Sequence, residues 1–327
     1  MIIAGDAEME KKVLVIVRDA DDKAYWKPYV RRLAKIVDMV ELKTLSCKGS
    51  GRKLPANPCL IIISTKVYPE ASPLLVESLA GLYPSSEFLL AVSSEDPLPP
   101  LNPLVRDDIR HLVINPDKRT FGKDAASSLI SLAIRKIAER DMIRLGDYLK
   151  PGTTVHVVRV TSSDEKEKII AGLEESIQGD GGDIELLRQK GALLADEMLE
   201  NALYGAPRRD NGLSLFAKGQ PRNIPLPEKI EFRYGFDGAT LAMEVEDSWG
   251  SLSPQVVLEH LARGQDETGD PADDGGRGLF IIWRFLDHLH IHINPGKNTV
   301  LGGQVKLMTA ENIFDKKGVH ISSGAVR

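Results

Sequence analysis

Cysteine is nearly missing: the chain has two in 327 residues, Cys47 and Cys59, and no CxxC pair. That excludes a disulfide-stapled scaffold or a zinc ribbon and fits a reducing compartment. No stretch approaches the roughly 20 apolar residues that a membrane-spanning helix needs. Residues 1–12 carry acids and no apolar core, which is not the pattern of a signal peptide, so the cytoplasm is the expected location. Excess positive charge is also lacking. With 42 Lys and Arg against 47 Asp and Glu, a net charge of -5 and a pI near 5.9, neither nucleic acid nor an anionic membrane is an expected partner. No G-x-x-x-x-G-K-[ST] string occurs, which excludes a P-loop. What remains is a composition 42% apolar and 27% charged, that of an ordinary globular protein long enough for two domains.

The first half reads as alternating strands and helices. Val13-Leu14-Val15-Ile16-Val17 is a continuous β-branched run bounded by the polar turn Arg18 to Asp22, the pattern of a strand covered on both faces. A helical spacing follows over Tyr25 to Val37, with Tyr29, Leu33 and Ile36 on one stripe. Then come a strand over Leu60 to Ile63, a helix over Ser72 to Leu82, strands over Phe88 to Val92 and His111 to Ile114, and a long helix from Lys123 to Arg140. This order predicts a doubly wound parallel sheet. Pro97 to Pro103, with four prolines, predicts a rigid surface loop.

The order and spacing over residues 11 to 140 resemble a response-regulator receiver domain, with an unrelated flavodoxin-like fold as the alternative. The positions that would carry receiver chemistry have changed. Val17 and Arg18 stand where the acidic pair belongs, with Asp19 displaced. Ser64 replaces the phosphoacceptor Asp, and Asn115 before Pro116 replaces the lysine. Ser93 or Ser94 preserves the hydroxyl of strand four. The resemblance therefore implies a phosphorylation-incompetent domain kept for docking or dimerisation.

After the turn Leu149-Lys150-Pro151-Gly152, Thr154 to Val160 alternates as a strand. Ser162 or Ser163 then caps a helix through Ile177, and Asp183 opens a second helix with Leu187, Leu194, Met198 and Leu203 on its apolar stripe. Glu197 and Asn201, four apart, project from one face of that helix. A carboxylate can take up a proton, and an amide oxygen can complete the shell of a hydrated Mg²⁺; a solvated polar face is the plainer reading. Lys229 to Tyr234 and Thr240 to Glu246 predict a hairpin through Asp237-Gly238. Its second strand ends at Asp247-Ser248-Trp249-Gly250, where Asp247 either accepts a hydrogen bond from an exocyclic amine or forms an Asx turn. A helix from Pro254 to Arg263 leads to an acidic segment, with Asp266, Glu267, Asp270, Asp273 and Asp274, that reads as a lid. Gly275-Gly276-Arg277-Gly278-Leu279 then opens an apolar helix through Leu286. Such a junction suits phosphate, because glycines permit close approach and the first helical turn presents unpaired N–H groups. Strands over Leu289 to Ile293 and Thr299 to Leu307 follow.

Asp-Glu-Met-Leu-Glu-Asn (196–201), Asp-Ser-Trp-Gly (247–250), Gly-Gly-Arg-Gly-Leu-Phe (275–280) and Lys-Asn-Thr-Val (297–300), in that order, resemble the motifs of GHKL ATPases, most nearly the anti-sigma-factor serine kinases. This resemblance covers residues 153 to 309. It implies ATP and Mg²⁺ as cofactors, Asn201 as Mg²⁺ ligand, Glu197 as general base and Asp247 as the reader of adenine. By the same resemblance, Gly250, Gly275, Gly276, Arg277, Gly278 and Leu279 line the nucleotide, and Thr299 supports the adenine pocket. The family's D-x-G-x-G is altered, with Trp249 and Ser251 at its glycine positions. No histidine is followed by Asp or Glu, unlike the phosphoacceptor of a sensor histidine kinase, and the short segment after residue 309 leaves no room for a gyrase-type transducer.

The predicted fold class is thus α/β. It comprises a doubly wound parallel-sheet domain of receiver or flavodoxin-like type over 11–140, a linker over 141–152, a two-layer α/β sandwich of GHKL type over 153–309, and a polar tail over 310–327. The implied function is a cytoplasmic signalling protein that phosphorylates a Ser or Thr of a small regulatory partner, such as an anti-sigma antagonist or sigma factor, or sequesters it. It is expected to act as a homodimer, off the membrane and without direct nucleic-acid contact. The alternative is a non-catalytic ATP-dependent switch or adaptor. Two features stay outside this scheme. One is the insertion Gly205 to Glu228; the other is His288, His290 and His292, which share one face of a strand and form either a metal cluster or its solvent side.

Overall fold

The computed structural model describes residues 12–24, 26, 36–42, 57–64, 67–68, 73–93, 99–115, 129–209, 212–265, 277–307 and 317–324. The α/β chain divides into two compact units, Met1–Pro97 with Leu112–Asp141 and Leu98–His111 with Met142–Arg327.

In the first unit, β1 (Lys12–Val17), β2 (Ile36–Glu41), β3 (Leu60–Ser64), β4 (Glu87–Ser93) and β5 (His111–Asn115) lie in the order β2-β1-β3-β4-β5. β1 runs parallel to β2 and β3, and β3 parallel to β4. Val13 to Val17 and Leu60 to Ile63 are at most 1% exposed along both faces, as continuous apolar runs require of a sheet covered on both sides. The helices α1 (Pro73–Leu82) and α2 (Leu129–Glu139) flank these strands in sequence. Ile130, Ala133, Ile134 and Ile137 of α2 pack on Val13, Val15, Leu60, Ile62 and Leu89. The helix expected through Val37 is corrected at its end: Ile36 and Val37 begin β2, which pairs with β1 from Lys12↔Ile36 to Val17↔Glu41. Pairing of the full strand overrides a helical spacing carried by three residues. Tyr25, residues 27–35, Ser94, Pro116, and the side chains of Ser93 and Asn115 lie outside the described residues.

The second unit is built on a mixed sheet of β6 (His156–Val160), β7 (Ile230–Phe236), β8 (Thr240–Asp247), β9 (His288–Asn294), β10 (Asn298–Lys306) and β11 (Gly318–Ser323), in the order β11-β9-β10-β8-β7-β6. The pairs from β6 to β9 are antiparallel, and β11 is parallel to β9. The helices are α3 (Lys166–Ser176), α4 (Gly182–Glu200), α5 (Pro254–Gln265) and α6 (Arg277–Phe285). α4 packs on α3, α6 and β8, and α5 packs on α6. α4 approaches the sheet closely at Gly191, where a Cβ would lie 2.9 Å from Leu241 Cδ2 and 3.0 Å from Leu173 Cδ2. The hairpin turns at Asp237-Gly238, with Gly238 at φ +87 and Asp237 Oδ1 accepting the N–H groups of Ala239 and Thr240 at 2.9 and 2.8 Å.

Three expectations change here. Within the proline-rich stretch Pro97 to Pro103, a short helix begins at Asn102–Arg106, with Pro103 in its first turn, where a missing N–H costs nothing. Its neighbours Leu101 and Leu104 are buried. Residues 310–327, read as a polar tail, supply β11, whose Val319 and Ile321 are fully buried beside β9. The alternation of six residues gave too little signal until a partner strand was present. Residues 142–152, read as a linker, belong to the second unit and lie against β7, β8 and β10 through Leu145–Asp147.

Gly303 of β10 is a tight point of this sheet: a Cβ there would fall on the His288 carbonyl oxygen and 2.6 Å from Leu286 Cδ1. Since backbone cannot move aside as a side chain can, Gly303→Ala is expected to cost about 2 kcal/mol or more, measured as a lowered urea midpoint at unchanged slope.

Candidate functional site

α4 carries Glu197 and Asn201 one turn apart, and at Asn201 the helix widens into a π-type turn through Gly205, closed by the Ala206 N–H on the Asn201 carbonyl at 2.7 Å. Such turns frequently occur where a helix carries function. α6 opens directly against this point. A Cβ on Gly278 would lie 2.7 Å from Glu197 Oε2 and 3.3 Å from both Nδ2 and Oδ1 of Asn201, so the missing side chain leaves room for the pair. The next residue, Leu279, is buried in the core. Arg277 begins the helix; its side chain, Gly275, Gly276 and the acidic segment 266–274 lie outside the described residues.

Glu197 is half-buried among acids. Burial raises its carboxyl above the usual range; Lys218 opposes this, and Asp196 and Glu200 reinforce it. The two flanking acids are drawn to Lys166, whose Nζ lies 2.7 Å from Asp196 Oδ1 and 2.8 Å from Glu200 Oε1. Burial lowers the Lys166 pKa, but these two partners outweigh it and leave the ammonium more firmly protonated than usual.

A second cluster forms where β8 ends. Asp247 is 6% exposed. Its Oδ1 accepts the Trp249 N–H at 2.8 Å, so the Asx turn is present. Burial pushes its pKa up to about 6, against hydrogen bonds from the backbone N–H groups of Trp249, Gly250 and Thr299. Thr299 faces Asp247 across β8 and β10. Its hydroxyl is fully buried and has no hydrogen-bond partner among the described residues, the condition of a polar atom prepared for a ligand or water. Gly250, at φ +56, tucks under the β9–β10 turn, where a Cβ would meet the Asn294 carbonyl and lie 2.8 Å from the Lys297 nitrogen.

The two clusters sit at the same end of the unit. A chain of contacts absent from the sequence reading joins them. The Leu203 carbonyl accepts from Arg222 Nη1, Arg222 Nη2 pairs with Glu228 Oε1, and that carboxylate accepts the Trp249 indole N–H at 2.9 Å. Arg222 is also stacked 4.1 Å over the Phe216 ring. The insertion without an assigned motif is therefore folded onto the site. Its sequence offered no periodicity to reveal this, since a buried Arg looks like any surface Arg until its partners are in place.

A third polar group lies on β8, β9 and β11, together with His111, which closes the segment Leu98–His111 of the same unit. His288, His290 and His320 are at most 1% exposed and His111 2%; His292 binds Ser322 Oγ at 2.9 Å. The face expected to meet solvent is instead closed by residues 142–148. Tyr148 Oη bridges His288 Nδ1 at 2.8 Å and His290 Nδ1 at 3.0 Å. Glu244 accepts the Leu145 N–H at 2.9 Å and pairs with Arg144 at 3.0 Å and Arg233 at 2.9 Å. Burial raises the Glu244 carboxyl, but His290, the Leu145 N–H and Arg144 outweigh it and hold its pKa down at about 2. Among the described residues no group of three His, Cys, Asp or Glu is arranged to hold a metal ion. In the first unit, Ser64 is buried and its hydroxyl donates to Asp22 Oδ2 at 3.2 Å.

The imidazoles give stability a pH dependence. Burial, with His290 and His111 alongside, lowers His288 to about 3, and burial beside His111 and His288 lowers His320 well below its ordinary value. Unfolding would let both take up protons below about pH 6.5, so stability is full above that value and falls as pH drops. From pH 7 to 5, His288 alone removes about 2 kcal/mol, with His320 acting in the same direction. Asp247, its folded pKa raised to about 6, has the opposite sign and returns about 1.4 kcal/mol at pH 5. Urea unfolding at the two pH values is expected to show the net loss. Compared with models of known protein families the chain matches none, and no curated protein matches it.

Proposed function

We propose that the second unit binds ATP with Mg²⁺ in a GHKL-type site and transfers the γ-phosphoryl group to a Ser or Thr of a small regulatory protein, as anti-sigma-factor serine kinases do. The observation that carries this reading is the meeting of Gly278 with Glu197 and Asn201, 2.7 and 3.3 Å from its absent Cβ. Asp247 and the unpartnered Thr299 hydroxyl at the same end of the sheet support it.

ATP supplies the phosphoryl group, and Mg²⁺ offsets the charge of its phosphates. The roles of the chain's own residues follow from their chemistry. Asn201 offers an amide oxygen to the metal, and Asp247, ionised above its raised pKa, accepts from an exocyclic amine. Thr299 offers a hydroxyl beside it, and the N-terminal turn of α6 offers N–H groups to phosphate. Glu197, with its pKa raised by burial, accepts the proton of the partner's hydroxyl. The first unit, with its β2-β1-β3-β4-β5 order and Ser64 at the phosphoacceptor position, serves docking or pairing with a second copy rather than phosphoryl chemistry. A second reading, a switch that binds ATP and a partner without transfer, is favoured by Trp249: it replaces a family glycine and is fixed to Glu228.

Calorimetric titration with ATP is expected to show binding that needs Mg²⁺ and is lost in Asn201→Ala. Glu197→Gln should bind ATP as the natural chain does while slowing transfer to the partner about 10²-fold or more. Absence of binding to the natural chain would overturn the reading; binding and partner output both intact in Glu197→Gln would leave the switch.

A further inference from the structure

Arg222 is buried at a position where stability alone does not account for it. Its side chain is 3% exposed and pairs with Glu228, itself 11% exposed, while its Nε is buried without a hydrogen-bond partner among the described residues. A buried ion pair of this kind adds little stability over an apolar replacement of similar volume. What it does is geometric. One end of the guanidinium holds the Leu203 carbonyl, inside the π-type turn that begins at Asn201. The other end holds Glu228, which fixes the Trp249 indole, and the Trp249 backbone N–H binds Asp247. The ring of Phe216 stacks on the guanidinium from the insertion side, and the Arg222 backbone N–H donates to Ser163 Oγ at 2.9 Å, which holds the residue's main chain.

We infer that Arg222 is a positioning residue, through which the insertion Gly205 to Glu228 keeps the Asn201 turn and the Asp247 loop in register for a single nucleotide. This rests on the nucleotide-binding reading above. Metal-phosphate recognition falls to the Asn201 end and base recognition to the Asp247 end, so a slack brace loses two things together: affinity for the whole nucleotide, and preference for the base whose amine Asp247 accepts. Arg222→Lys retains the charge but cannot span both partners, because an ammonium lacks the fork of a guanidinium.

The test compares ATP–Mg²⁺ and GTP–Mg²⁺ binding by calorimetry for the natural chain, Arg222→Lys, Arg222→Met, Trp249→Phe and the Arg222→Met/Trp249→Phe double variant. Arg188→Met serves as the control, since Arg188 binds the Ile177 and Gly179 carbonyls at 2.8 Å and takes no part in the brace. Both Arg222 variants should weaken ATP binding about tenfold, equal to ~1.4 kcal/mol, and narrow the gap between ATP and GTP. The double variant should lose less than the sum of its two singles, because both cut the same chain of contacts. Arg188→Met should lower the unfolding midpoint and leave affinity unchanged. If the natural chain binds ATP and the Arg222 variants bind it within about twofold, the brace is structural only and the inference falls while the nucleotide reading stands. If the natural chain binds no nucleotide, both fall.

Discussion

The second unit depends on how closely the opening of α6 can approach the end of α4. Any side chain at residue 278 would collide with the Glu197 carboxylate and crowd the Asn201 amide. With hydrogen there, the first turn of α6 comes against a carboxylate and an amide. The helix end favours negative charge, whereas burial and the neighbouring acids Asp196 and Glu200 disfavour it on Glu197. One steric fact thus governs which residues meet.

The buried polar groups divide by what they contribute. Lys166 with Asp196 and Glu200 is partly exposed, and its contribution to stability is reduced by solvent. Glu244 is different. Two guanidinium groups and a backbone N–H compensate a carboxylate that is 1% exposed, and removal of one partner would leave the others with unbalanced charge. Asp247 sits between these cases: three N–H groups hold it and burial still raises its pKa to about 6. Burial thus outweighs its hydrogen bonds, and the ionised form of Asp247 is costly where it stands.

Much of this was legible in the sequence because it is local. Continuous apolar runs gave β1 and β3, helical spacing gave α4, and Asp237-Gly238 gave the hairpin. Glu197 and Asn201 were readable as a pair because i and i+4 share a face whatever surrounds the helix. What could not be read depends on partners far away in the chain. β11 is a strand because β9 lies beside it, and β2 because β1 does. Arg222 in the insertion shows no pattern, as its role is set by Leu203, Glu228 and Trp249. The histidines were misread for an instructive reason. Alternation identifies a polar face but not what covers it, and here residues 142–148 do.

That covering segment bears on how the sheet works as a platform. One face carries the helices; the other, left open, would expose a row of half-apolar strands to solvent. Tyr148 and Leu145 cover it at β8 and β9. In doing so they turn His288 and His290 from surface groups into buried ones, joined by a single phenol. Gly302 completes the arrangement: it stands in register with both Glu244 and His290, and a Cβ there would lie 2.7 Å from His290 Cε1. The missing side chain lets imidazole and carboxylate approach across an intervening strand, with His290 Nε2 3.6 Å from Glu244 Oε2. The unit thus uses one device twice, a glycine that admits a polar pair. At Gly278 the pair meets a helix end and can serve a ligand; at Gly302 it is sealed beneath Tyr148 and serves the fold.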